Sequence, residues 1–159
     1  MVMRKETKHL VRCVGILLFG VYLMALVYFL FFSEEYGRTA RADQAFRYNL
    51  VPFLEIRRFW MYREQLGLGT LCINLLGNIL GFVPFGCILP VISDQMRNGF
   101  VVTLGGFCFS LTAEVIQLVT KAGCFDVDDL ILNTFGAALG YVLFVICNHI
   151  RRKYNGKKI

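Results

Sequence analysis

The chain has 159 residues, 57% of them hydrophobic and only 18% charged, with a formal net charge of +6 and a mean hydropathy of +0.58. This length suits one domain, and this composition excludes both an ordinary soluble globular protein and a disordered one. The expected fold is all-α: a single polytopic membrane domain over 1–159, with four transmembrane helices in a small bundle and an interfacial first external loop.

The first span is expected over Cys13–Phe32, which carries no charge. About 20 apolar residues cross a ~30 Å hydrocarbon core as a helix. The stretch has the basic start of a signal peptide but exceeds the usual apolar core of about 7–15 residues, so it is read as an uncleaved span. The loop that follows contains RYNLVPFLEIRRFWMY, in which Phe53, Leu54, Ile56, Phe59, Trp60 and Tyr62 alternate with Arg47, Arg57, Arg58 and Arg63. Aromatic residues suit headgroup depth and arginines suit phosphates, so this is an interfacial segment and a basic lip over what lies beneath it.

The second span is expected over Leu66–Ile92. Asn74 and Asn78 are four apart and share a helix face, with Gly77 and Gly81 close by at small-x-x-x-small spacing. Pro84 removes one backbone hydrogen bond and is expected to kink or break the helix between Gly81 and Gly86, with a re-entrant stretch as the other possibility. The third span, about Phe100–Val119, is interrupted only by Glu114; Gly106, Ser110 and Glu114 recur every four residues, and Gln117 follows. The fourth, Leu130–Ile150, begins just after Asp126, Asp128 and Asp129 and carries Asn133, Gly136 and Gly140 on one face. Five of the six cysteines fall within or at the edges of spans, with no zinc spacing, and are read as small packing residues.

Orientation follows Lys and Arg near the span ends. Arg4, Lys5, Lys8, Arg12, Arg97, Arg151, Arg152, Lys153, Lys157 and Lys158 fall on one side; Lys121 and six loop arginines fall on the other. Both termini are therefore expected in the cytoplasm, the basic tails serving as topology and anionic-lipid anchors rather than nucleic-acid contacts. In that threading Asn74, Asn78, Glu114, Gln117, Asn133 and the aspartates converge in the outer half of the membrane, Asn74 about 12 Å and Glu114 about 9 Å along their helices. A buried carboxylate needs a partner, and Lys121 or a first-loop arginine is expected near Glu114. Asp126 and Asp129 are read as site residues, and Asp128 as solvated or capping.

YNLVPF, NLLGNILGFVPFGCILP, EVIQ and FDVDDLILNTFGAALGY occur in this order over roughly 45–145, and the set resembles the VanZ-like family. That resemblance implies a role for Asn49, Asn74, Asn78, Glu114, Gln117, Asp126, Asp129 and Asn133 in a site, and for Pro52, Pro84, Gly86 and Gly136 in its framework. Many members have an arginine shortly before the aspartates, where this chain reads Ala122-Gly123-Cys124 after Lys121. The founding member of the family is linked to teicoplanin resistance. The resemblance therefore implies a bacterial cell-membrane protein that contributes to resistance against glycopeptide or other cell-envelope-targeting antibiotics.

Three functions remain open. One is an outward-facing polar pocket binding a lipophilic antibiotic or a lipid-linked cell-wall precursor. Another is a membrane enzyme modifying a lipid headgroup or lipid pyrophosphate, with Glu114 or Asp129 as general base or with the carboxylates holding a divalent metal. The third is a structural partner subunit. The enzyme lacks expected parts: His9 and His149 sit at cytoplasmic ends, and no external Ser/His or Cys/His pair exists. No cofactor or resident metal is expected, and membrane lipids are the expected partners.

Overall fold

Hydrocarbon offers no water to pair with backbone N–H and C=O groups, so each apolar run must close its own helical ladder. The computed structural model describes residues 5–32, 46–62, 68–121 and 123–155. Its elements are α1 (Lys5–Phe32), β1 (Tyr48–Asn49), α2 (Leu54–Met61), α3 (Leu68–Ile92), a 3-10 turn (Asp94–Met96), α4 (Gly99–Thr120), β2 (Phe125–Asp126) and α5 (Val127–Asn155). The segments His9–Phe31, Leu75–Ile92, Gly99–Thr120 and Val127–Tyr154 are long and apolar enough to cross a membrane. The chain is thus a four-span helical membrane protein. Its first and last helices run past the expected spans, because helical pairing continues beyond the last apolar residue.

Glycine decides how close the helices come. A Cβ on Gly86 would lie 1.9 Å from the Ala137 carbonyl oxygen; one on Gly136 would lie 2.2 Å from the Ile79 oxygen, and one on Gly140 2.1 Å from the Val83 oxygen. α3 and α5 are therefore in backbone contact along these three positions, the packing that small residues permit in membranes. α4 joins them through Gly106, where an added Cβ would stand 2.5 Å from the Ala137 Cβ. The expected Gly77 and Gly81 interface is not the one used: Gly77 is exposed, and Gly81 meets only Leu26 at ordinary contact distance. Phe82, fully buried, and Phe85 stack with Phe19 and Phe109 in the middle of the bundle.

α3 stays helical through Pro84 and Pro90, which corrects the expected break and the re-entrant alternative. Each proline costs one backbone bond, and tight packing on α5 holds the remaining ladder together. The Tyr22 hydroxyl donates to the Gly81 carbonyl (2.7 Å), one turn before Pro84.

The short connections order the ends. At one end Arg12 and Arg97 both pair with Asp94, the Tyr141 hydroxyl donates to the Arg97 carbonyl (2.8 Å), and the Asn98 side chain caps α4 by accepting from Phe100 N–H (2.9 Å). At the other end β1 pairs in parallel with β2, Tyr48 opposite Phe125 and Asn49 opposite Asp126. This two-stranded clip was not expected; two residues per strand carry no periodicity to read. It fastens the first loop to the start of α5.

Candidate functional site

The polar residues meet where α1 and α4 end and α3 and α5 begin. The Asn78 amide donates to the Asp129 carboxylate. Glu114, only 1% exposed, accepts from the backbone N–H of Asp126 (3.0 Å). The Asn133 amide donates to the Ser110 hydroxyl (2.9 Å), and the Gln117 amide donates to the Leu30 carbonyl in the last turn of α1 (2.7 Å). On α4, Gly106, Ser110, Glu114 and Gln117 form one buried face, the outcome that their three- and four-residue spacing predicts.

The aspartates divide their work differently from the sequence expectation. Asp126 accepts from Asn49 (3.2 Å) and from the Asp128 N–H (2.8 Å), so it is the residue that caps α5. Asp128 is not solvated. It is 1% exposed, and its carboxylate accepts from the N–H groups of Phe53 and Ile56, at the start of α2. It is a cap, as expected, but for a helix about 70 residues earlier in the chain. Phe53, just ahead of α2, holds φ 63°, a left-handed backbone that is costly for a bulky side chain. The anionic cap at Phe53 N–H offsets that strain. Pro52 lies in the exposed turn before it, and Asn49 closes the same turn by accepting from Val51 N–H (3.1 Å).

Lys121 is not the partner of Glu114. It ends α4 with φ 56° and sits over the Phe46 ring, 5.5 Å from its centroid, a cation–π contact. Asn74 lies on α3, but its side chain falls outside the described residues, as does Arg63. Among the described residues, no three His, Cys, Asp or Glu side chains converge to hold a metal ion.

Two acceptors at this end of the bundle are left over. Gln117 Oε1 and Asn133 Oδ1 are buried and accept no hydrogen bond from the described residues, a state that costs about 1–3 kcal/mol each. Gln117 was expected as a site residue, but its tie to α1 was not. Nor was Tyr22; the one signal that could have found it is that a tyrosine in the middle of an apolar span has a hydroxyl that needs a partner.

A four-helix membrane bundle with a carboxylate- and amide-rich polar end defines a class of small multi-pass membrane protein. The VanZ/LLP1 family profile matches residues 19–148, and the chain belongs to that family. It is similar to Protein VanZ of Enterococcus faecium, 30% identical over 142 residues, which cover 86% of this chain and 77% of that protein. No solved structure matches the chain significantly.

Proposed function

We propose that this protein works in a bacterial cell membrane and lowers susceptibility to glycopeptide or other cell-envelope-targeting antibiotics. Its polar end faces outward and binds the drug or a lipid-linked precursor. The observation that carries this reading is the meeting of Asn78 with Asp129, Glu114 with the Asp126 N–H, and Asn133 with Ser110 at one end of the bundle, in a chain similar to Protein VanZ. Buried polar groups in a membrane are expensive, and structural need alone does not collect so many at one depth.

The test is a susceptibility profile of cells expressing the chain or its Glu114→Gln variant. Glu114→Gln keeps the volume and removes the charge, so affinity for a ligand contacted by the carboxylate falls about tenfold or more. The resistance phenotype should drop to that of cells lacking the chain, at equal membrane levels. Full resistance in the variant removes Glu114 from the site.

On this reading both termini lie in the cytoplasm: positive charge near the span ends stays inside, and Arg12 and Arg97 meet at Asp94 at the end that carries it. Cys124, half-buried at the polar end, should then react with a membrane-impermeant maleimide in intact cells. The exposed Lys121→Cys position should react faster. If neither is labelled until the cells are lysed, the orientation is inverted.

A further inference from the structure

α1 is the least committed helix of the bundle. Only 6% of its span is buried, against 28% and 33% for the spans of α4 and α5, and its packing is chiefly on α3. Lipid tails are as apolar as leucine, so no hydrophobic force presses it against its neighbours. Polar pins hold it instead, at three depths: Arg12 to Asp94 at one end, the Tyr22 hydroxyl to Gly81 in the middle, and the Leu30 carbonyl to Gln117 at the polar end.

Gln117 is thus both the last pin of α1 and the first buried group behind it. Its orientation is determined by chemistry: a carbonyl only accepts, so Nε2 must face Leu30 and Oε1 must face away from it. Oε1 finds no donor, and neither does Asn133 Oδ1. Among the described residues, these two buried acceptors at the polar end are offered no donor. Entry along the bundle axis is obstructed at the start of α5 by the β1–β2 clip and by α2, which Asp128 holds in place. Gln117 lies behind the last turn of α1, bonded to its Leu30 carbonyl. Around the same end, Arg57 and Lys121 are exposed, side chains suited to lipid phosphates.

We propose that the polar end takes the donor-bearing headgroup of a membrane-resident amphiphile, carrying an ammonium or hydroxyl. It enters sideways from the bilayer between α1 and α4, with Gln117 Oε1 and Asn133 Oδ1 as its acceptors. This rests on reading the polar end as a binding site, and it names the ligand chemistry and the route. α1 is the gate, and its pin at Leu30 is exchanged when the headgroup arrives.

The full chain in detergent micelles is mixed with equal amounts of phosphatidylethanolamine, phosphatidylglycerol and phosphatidylcholine of identical acyl chains, and retained lipid is read by native mass spectrometry. Phosphatidylcholine is the control, because its trimethylammonium group has no N–H to donate. The two donor-bearing lipids should be retained about fivefold or more over it, the discrimination expected of one or two hydrogen bonds. Gln117→Met and Asn133→Leu, each close in volume to the original, should each bring that ratio down to about twofold or less, by the loss of one acceptor. Soluble glycerophosphoethanolamine should not displace the lipid.

Equal retention of the three lipids by the unmodified chain overturns the proposal, whether or not the variants fold. A preference that survives both substitutions also overturns it, and displacement by the soluble headgroup overturns the sideways route. The antibiotic phenotype is read separately. If Glu114→Gln loses resistance and no lipid preference exists, the binding reading stands and this inference falls; if Glu114→Gln keeps resistance while the lipid preference is present and is lost in the Gln117 and Asn133 variants, the polar end binds lipid as inferred and the resistance role of Glu114 falls.

Discussion

A chain carrying Gly140→Leu is expected not to accumulate as a folded four-span bundle. The reason is backbone contact. Even a bare Cβ at this position would lie 2.1 Å from the Val83 carbonyl oxygen and 2.9 Å from the Cys87 nitrogen, so no rotamer relieves the collision. Gly136→Leu meets the same obstacle at Ile79, and Gly86→Leu meets it at Ala137. Overpacking a core costs about 1–3 kcal/mol where side chains can yield. Where the obstacle is backbone, α3 and α5 must separate, and the cost is expected to reach the top of that range or exceed it, about a hundredfold in the folding equilibrium. Thermal unfolding in detergent and the level of protein in membranes both report it. Gly20 is the control: a Cβ there meets nothing within 4 Å, so Gly20→Leu should behave as the unmodified chain. Equal stability of the Gly140 and Gly20 variants would disprove the close α3–α5 contact.

The second large effect is local. Asp128→Ala should release α2 while leaving the bundle assembled. The substitution removes the acceptor for the N–H groups of Phe53 and Ile56, and with it the anion that offsets the left-handed backbone at Phe53. Losing the acceptor of a buried, charge-assisted bond costs about 1–3 kcal/mol. Hydrogen exchange of the α2 amides should therefore quicken about 5- to 150-fold, while amides in α3 and α5 keep their protection. Trp60 is the chain's only tryptophan and lies on α2, so its emission gives a second readout. Asp128→Asn keeps an acceptor without the charge and should fall between the two. If α2 exchange is unchanged in both variants, Asp128 is not its anchor.

Much of the site was legible because helical periodicity is regular. The four-residue recurrence of Gly106, Ser110 and Glu114, with Gln117 one turn on, predicts a single polar face, and those residues are buried together. What remained hidden was which partner each residue takes. Asp128 reads as a capping residue in any sequence, yet nothing local says that the helix it caps is α2. Lys121 reads as a partner for Glu114 by proximity along the chain, yet the left-handed turn at the end of α4 sends it over Phe46. The glycines show the same division: Gly77-x-x-x-Gly81 and Gly136-x-x-x-Gly140 are equivalent patterns, yet Gly136 and Gly140 meet the α3 backbone while Gly81 meets only the Leu26 side chain.

The sequence alone determined the class of the protein. An apolar run long enough to cross hydrocarbon has only the helix available to it, because every backbone polar group must be paired within its own segment. Four such runs specify four spans, and the order of the fragments YNLVPF, NLLGNILGFVPFGCILP, EVIQ and FDVDDLILNTFGAALGY along the chain carries the resemblance to a family. Tertiary structure alone decided the pairings: Gly86 with Ala137 and Gly140, Gly136 with Ile79, Asp128 with α2, Gln117 with α1, and β1 with β2. These depend on the rotation and depth of each helix against its neighbours. Those are set by backbone contact between distant segments, a quantity that no local pattern contains.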